Sequence, residues 1–214
     1  MSFLTGFPKK HLALDEQMDR FKAIYETYCA RLEAGGSLRD SHVTIIARSV
    51  LSPACRMLVA HTEELAKHGV TVQAIFARLG PAEPMSALFA TLQRLNGIGR
   101  IAASLRWAHN PALLDAHEQL TLGLRMCWTG DCMRRSEDKR NALDLFEENS
   151  IGSVRLAELA FSHMWLASKP LPEEIMGLHE AAGDAMSGID ADSVAETLME
   201  PSRIVAFEKR RAKL

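Results

Sequence analysis

The chain has 214 residues, enough to bury a sizeable core without disulfide or metal staples. Its 47% hydrophobic and 24% charged content is that of a globular protein, which excludes a disordered or fibrous chain. A formal charge of −2 leaves no net basic field to attract nucleic acid or anionic lipid, so neither is an expected partner.

The opening "MSFLTGFPKKHLALDEQ" has no long apolar core, and its lysines follow the apolar residues instead of preceding them. It does not read as a secretory signal. No stretch approaches the roughly 18 apolar residues of a membrane span. Cys29, Cys55, Cys127 and Cys132 are sparse and lack CxxC spacing. They read as reduced thiols in a cytoplasmic protein; a zinc site on Cys127 and Cys132 is the alternative, and no metal or other cofactor is expected.

Leu14, Met18, Phe21, Tyr25, Tyr28 and Leu32 recur at spacings of four and three, one face of a long amphipathic helix. Ala23, Ile24 and Ala30 add apolar surface on its other side. "AGGS" at 34–37 stops it. "HVTIIARSVL" (42–51) is β-branched and apolar, a buried strand. Ser52 followed by Pro53 is an N-cap with a first-turn proline, opening a helix over 53–68. "VTVQAIFARL" (70–79) predicts a second strand, parallel to the first through that helical crossover. A helix over 85–99 ends in glycines, and its "GIG" (97–99) is too short for a phosphate fingerprint. A third strand is expected at 100–108. "HEQLTLGLRMCWTGD" (117–131) reads as two short strands around a glycine. A charged loop (133–140), a strand and turn (141–149) and a helix (150–168) follow. Trp107, Trp128 and Trp165 are assigned to the core. "KPLPEE" ends the 150–168 helix. The remainder, punctuated by Gly183, Gly188 and Pro201, reads as short helices, and the basic "EKRRAKL" as a solvated helix end.

The expected class is α/β: a mixed, largely parallel sheet flanked by helices on both faces. One domain would span 1–171, including the N-terminal helix, with a helical extension over 172–214 packed on it.

The stretch from Val43 to Leu171 resembles one half of the phospholipase D superfamily. That family carries HxKxxxxDxxxxxxGSxN on a hairpin after a strand–helix–strand–helix–strand run. Here "AHEQLTLGLRMCWTGDCMRRS" aligns with the hairpin, and "NALDLFEENSIGSVRLAELAFSHMWLASKPL" with the strand and helix that follow it. His117 matches the nucleophile and Gly130 the motif glycine. Gln119 stands in the lysine position, and Gly123 and Leu124 where the aspartate belongs, with one residue missing. Asp131 replaces the serine, and Met133 or Arg134 stands where the asparagine would be.

A histidine attacking a phosphodiester needs fixed cations and donors around the phosphoryl oxygens. Gln119 supplies a donor without charge, and Asp131 supplies charge of the wrong sign. Arg134, Arg135 and Lys139, with Arg140, lie where the family holds its substrate and are candidates for binding an anion. His109 and Asp115 flank His117 and are candidates to orient it. Three readings follow: a non-catalytic domain of this fold that binds a phosphorylated ligand or a protein partner; a divergent phosphodiesterase or nuclease built from two copies of His117; or a structural or interaction module. With one hairpin per chain, the resemblance also implies a homodimer.

Overall fold

Alternating apolar strands and amphipathic helices give one seven-stranded sheet with helices on both faces. The computed structural model describes residues 14–79, 85–109, 116–131 and 143–172. Strands β1 (His42–Ala47), β2 (Thr71–Phe76), β3 (Leu105–Trp107), β4 (Glu118–Leu122), β5 (Met126–Gly130), β6 (Asp144–Glu148) and β7 (Lys169–Pro170) lie in the order β6-β5-β4-β1-β2-β3-β7. As the βαβ pattern required, β1, β2 and β3 run parallel. The other four pairings are antiparallel: β4 with β1, β5 with β4, β6 with β5 and β7 with β3. The expectation of a largely parallel sheet is therefore corrected. Only the helical crossovers deliver parallel neighbours, and the 117–131 hairpin adds its strands by reversing the chain.

Helices α1 (Leu14–Glu33), α2 (Pro53–Ala60), α3 (Thr62–Lys67), α4 (Met85–Asn96) and α5 (Ile101–Ser104) cover one face; α6 (Ile151–Ala167) covers the other. Alternation along the strands sorts the two cores. Val43, Ile45, Val72, Phe76, Leu120 and Leu122 face α1, α2 and α4, where Phe21, Tyr25, Tyr28, Leu58 and Leu92 meet them. Ile46, Ile75 and Ala108 meet Phe161, while Cys127 meets Val154 and Ala157. Thr44 and Thr121, paired across β1 and β4, share a buried hydrogen bond of 2.6 Å between their hydroxyls.

Four sequence expectations change. The 53–68 helix is two helices meeting at His61. There the Thr62 hydroxyl turns back to donate to the Val59 carbonyl (2.7 Å) and pairs with Thr91 (2.9 Å), local bonding that competes with a straight helix. The 100–108 strand is shortened to β3, because 101–104 close into the single turn α5. The Asn96 amide bonds both backbone groups of Val72 (2.8 Å each) and the Ser104 hydroxyl (2.6 Å), so it holds that turn against β2. The 169–170 segment, read as a breaker, forms the short edge strand β7, where proline costs no interior ladder bond. Ile24, read as outer surface of α1, is buried in the core, leaving only Ala23 and Ala30 outside. Of the tryptophans, Trp128 is fully packed, Trp107 and Trp165 partly. Among the described residues no helix is long and apolar enough to cross a membrane. The 172–214 extension lies outside the described residues beyond Pro172, as does Cys132.

Candidate functional site

The ends of β1, β2 and β3 point toward the start of β4 and the end of β5, because the hairpin runs back beside β1. This edge, outside the carboxyl ends of the parallel strands, is where open α/β sheets place ligands. The hairpin sets its register through Gly123. Its φ is +60°, its amide donates to the His42 carbonyl (2.9 Å), and a Cβ there would sit 2.8 Å from the Asp40 carbonyl oxygen. Only glycine fits the turn that brings the two hairpin ends together.

At those ends stand His117, one residue before β4, and Asp131, one residue after β5. Their side chains meet: His117 Nδ1 lies 2.9 Å from Asp131 Oδ1. The carboxylate is 4% exposed and the imidazole 50%. Asp131 is fixed by its own backbone, whose amide donates to the Leu143 carbonyl (3.0 Å). With Nδ1–H committed to the carboxylate, Nε2 is the nitrogen left to act as acceptor or nucleophile. Arg48 reaches the same edge from the end of β1. Its backbone amide donates to the Glu118 carboxylate (3.2 Å), and its guanidinium donates to the Ala116 carbonyl (3.2 Å). Glu118 is buried beneath it.

Among the described residues, the space on the inner side of His117 is nearly filled. Arg48, Ala77, Ala108, Glu118 and Met164 close around His117, leaving a cavity of about 10 Å³, room for one water at most. A larger cavity of about 400 Å³ lies at the opposite edge, between α1 and the hairpin turn. There the Arg31 guanidinium is held by Glu148 (2.8 Å) and Asn149 (2.7 Å). That cavity is lined by Tyr28, Asp40, Arg125, Gly35 and Gly36, and contains none of the candidate site residues.

The remaining sequence candidates divide. Gln119 lies on the same side of β4 as His117 but does not line its cavity; its Oε1 is buried with no hydrogen-bond partner among the described residues. Gly130 ends β5 and is required by packing, since a Cβ there would lie 2.3 Å from Trp128 Cζ2. His109 stacks edge-on against Trp107, with ring centroids 4.7 Å apart, while Asp131 is the partner of His117. Arg134, Arg135, Lys139, Arg140 and Asp115 lie outside the described residues. Sequence reasoning missed Arg48 and Glu118. The signal for Arg48 was its place just past the carboxyl end of a parallel strand. Compared with family models, with curated proteins and with solved structures, the chain matches none.

Proposed function

We propose that this chain is a non-catalytic domain of the phospholipase D-like type. Its strand edge recognises a phosphate-bearing ligand or a partner protein without cleaving a phosphodiester. The observation that carries this reading is the buried Asp131 carboxylate bonded to His117. A fixed negative charge stands beside the imidazole where a phosphoryl group would need neutralising donors. The void of about 10 Å³ on the inner side of the ring is too small for a phosphate, so a ligand would meet only the solvent-facing half of the imidazole. Gln119 brings no charge to the edge, and among the described residues Arg48 is the one cation lining that cavity. The loss of one electrostatic partner of this kind typically costs about 3–4 kcal/mol of transition-state stabilisation, so the loss of several leaves little rate.

A second reading rests on one feature. The imidazole is half exposed and held by a carboxylate, the arrangement that orients a histidine for nucleophilic or base chemistry. Assay of the purified protein against bis(p-nitrophenyl) phosphate separates the two. The expected result is no turnover above buffer for wild type, with His117→Ala indistinguishable from it. Turnover that disappears in His117→Ala would establish the divergent phosphodiesterase instead.

A further inference from the structure

On the face of the sheet away from α6, the α2–α3 junction packs against α1. It brings together three side chains that the hairpin chemistry does not use. Cys29 projects from α1, His61 occupies the junction, and Glu64 lies in the first turn of α3. One ligand-type atom from each of the three lies within 4.8 Å of the others. We propose that Cys29, His61 and Glu64 form a binding site for a divalent zinc-class cation.

The local architecture prepares the donors. His61 and Glu64 are three residues apart, so both side chains emerge on one side of the same helical turn. His61 Nδ1 already lies 2.8 Å from Glu64 Oε2. The Tyr25 ring lies nearly parallel to the imidazole, 5° between planes and 5.6 Å between centroids, and its hydroxyl donates to the Ala54 carbonyl (3.1 Å). That stack fixes the plane of the imidazole, the role a surrounding shell plays at metal centres. Cys29 and His61 are largely buried while Glu64 is exposed, so the site has a protein floor and a solvent-facing entrance.

Burial, then the charges of Glu64, Glu33 and Glu26, push the Cys29 thiol up to about 11. The hydrogen bond from His61 holds Glu64 below the usual carboxylate range. Burial is the main obstacle to the thiolate, and a dication supplies the counter-charge that a buried thiolate lacks, besides offsetting the smaller repulsion from the three carboxylates. Binding releases the thiol proton to solvent and forms the metal–sulfur bond. One soft thiolate, one borderline imidazole and one hard carboxylate make a mixed set whose sulfur and nitrogen donors suit zinc or cobalt and not magnesium or calcium. In a tetrahedral site with Zn–S about 2.3 Å and Zn–N and Zn–O about 2.0–2.2 Å, the donors stand roughly 3.4–3.6 Å apart. From separations of at most 4.8 Å, the Cys29 sulfur therefore needs to approach the other two donors by about 1 Å at most, and the His61–Glu64 pair, 2.8 Å apart, to part by somewhat less. Water completes the fourth position.

The test is titration of the full-length, reduced, chelator-treated protein with cobalt(II), reading the near-ultraviolet thiolate-to-cobalt charge-transfer band. The expected result is a band saturating at one equivalent. It should be absent in Cys29→Ser, unchanged in Cys127→Ser, and weakened about tenfold or more in affinity in Glu64→Gln. Glu64 is exposed, so that last variant keeps its fold, and circular dichroism checks the others. A wild-type protein without the band at roughly millimolar cobalt, or a band that survives Cys29→Ser, overturns the site. So does an unchanged affinity in Glu64→Gln.

Discussion

Gly130 is required by packing at the end of β5. Its missing Cβ leaves room for the Trp128 ring, which has little freedom to move. The indole Nε1 donates to Asp144 (2.7 Å), and Phe21 packs edge-on against the ring at 4.7 Å. Asp144 is held in turn by an ion pair with Arg20 of α1. A methyl at 130 would approach Trp128 Cζ2 to 2.3 Å and the Leu143 carbonyl to 3.0 Å, and neither is the end of a flexible side chain. Overpacking of this kind costs about 1–3 kcal/mol. Gly130→Ala is therefore expected to lose about 2–3 kcal/mol in urea unfolding, with Asp131 displaced from His117 as the strand end shifts. A loss below about 0.5 kcal/mol, the scale of a neutral surface change, would mean that the indole is free to move aside. The resemblance reads Gly130 as a motif match, yet its structural reason is the Trp128 ring two residues back on the same strand, held in place by Asp144 and Phe21, contacts that no local pattern encodes.

Among the elements, legibility follows the strength of the local signal. The helix at 53 was readable because Ser52 and Pro53 carry their meaning locally, and Ser52 does accept from the Cys55 amide (3.3 Å). β1 and β2 were readable from β-branched runs. The break at His61 and the turn α5 were not, since each depends on a side chain reaching another element: Thr62 to Thr91, Asn96 to β2. α6 was legible in extent but not in orientation, because it is apolar on most of its surface. Phe161 is 4% exposed against Ile46 and Ile75, whereas Leu156, Leu159 and Leu166 are 71%, 56% and 84% exposed. Two substitutions on the same helix should therefore behave very differently. Phe161→Ala is expected to cost about 3–4 kcal/mol, as for other buried aromatic truncations. Leu159→Gln is expected to fall within about 0.5 kcal/mol of wild type, since the two residues have similar helix propensity. Comparable losses from both in denaturant titration would show that the outer stripe is also covered in solution.

Over the whole molecule, the sheet joins a rigid centre to weakly held margins, and the candidate site sits where the two meet. β1 is flanked by β2 on one side and β4 on the other, and Val43 through Ala47 are all buried. β6 pairs with β5 alone among the described strands and leaves Leu145 exposed, while β7 is two residues long. Backbone amides held between two strands in a buried layer open only when most of the fold opens, whereas edge amides open locally at lower cost. Amide exchange followed by mass spectrometry should therefore rank β1, β2 and β4 slowest, β5 next, and β6 and β7 fastest. His117 immediately precedes β4, on the slow side, and Asp131 follows β5, so the pair straddles the gradient. His117 is thus carried on a rigid platform, while its carboxylate partner can be released by local opening at the β5–β6 margin. If β6 exchanged as slowly as β1, that release would require global unfolding. The closed cavity beside His117 would then be a permanent feature of the folded chain.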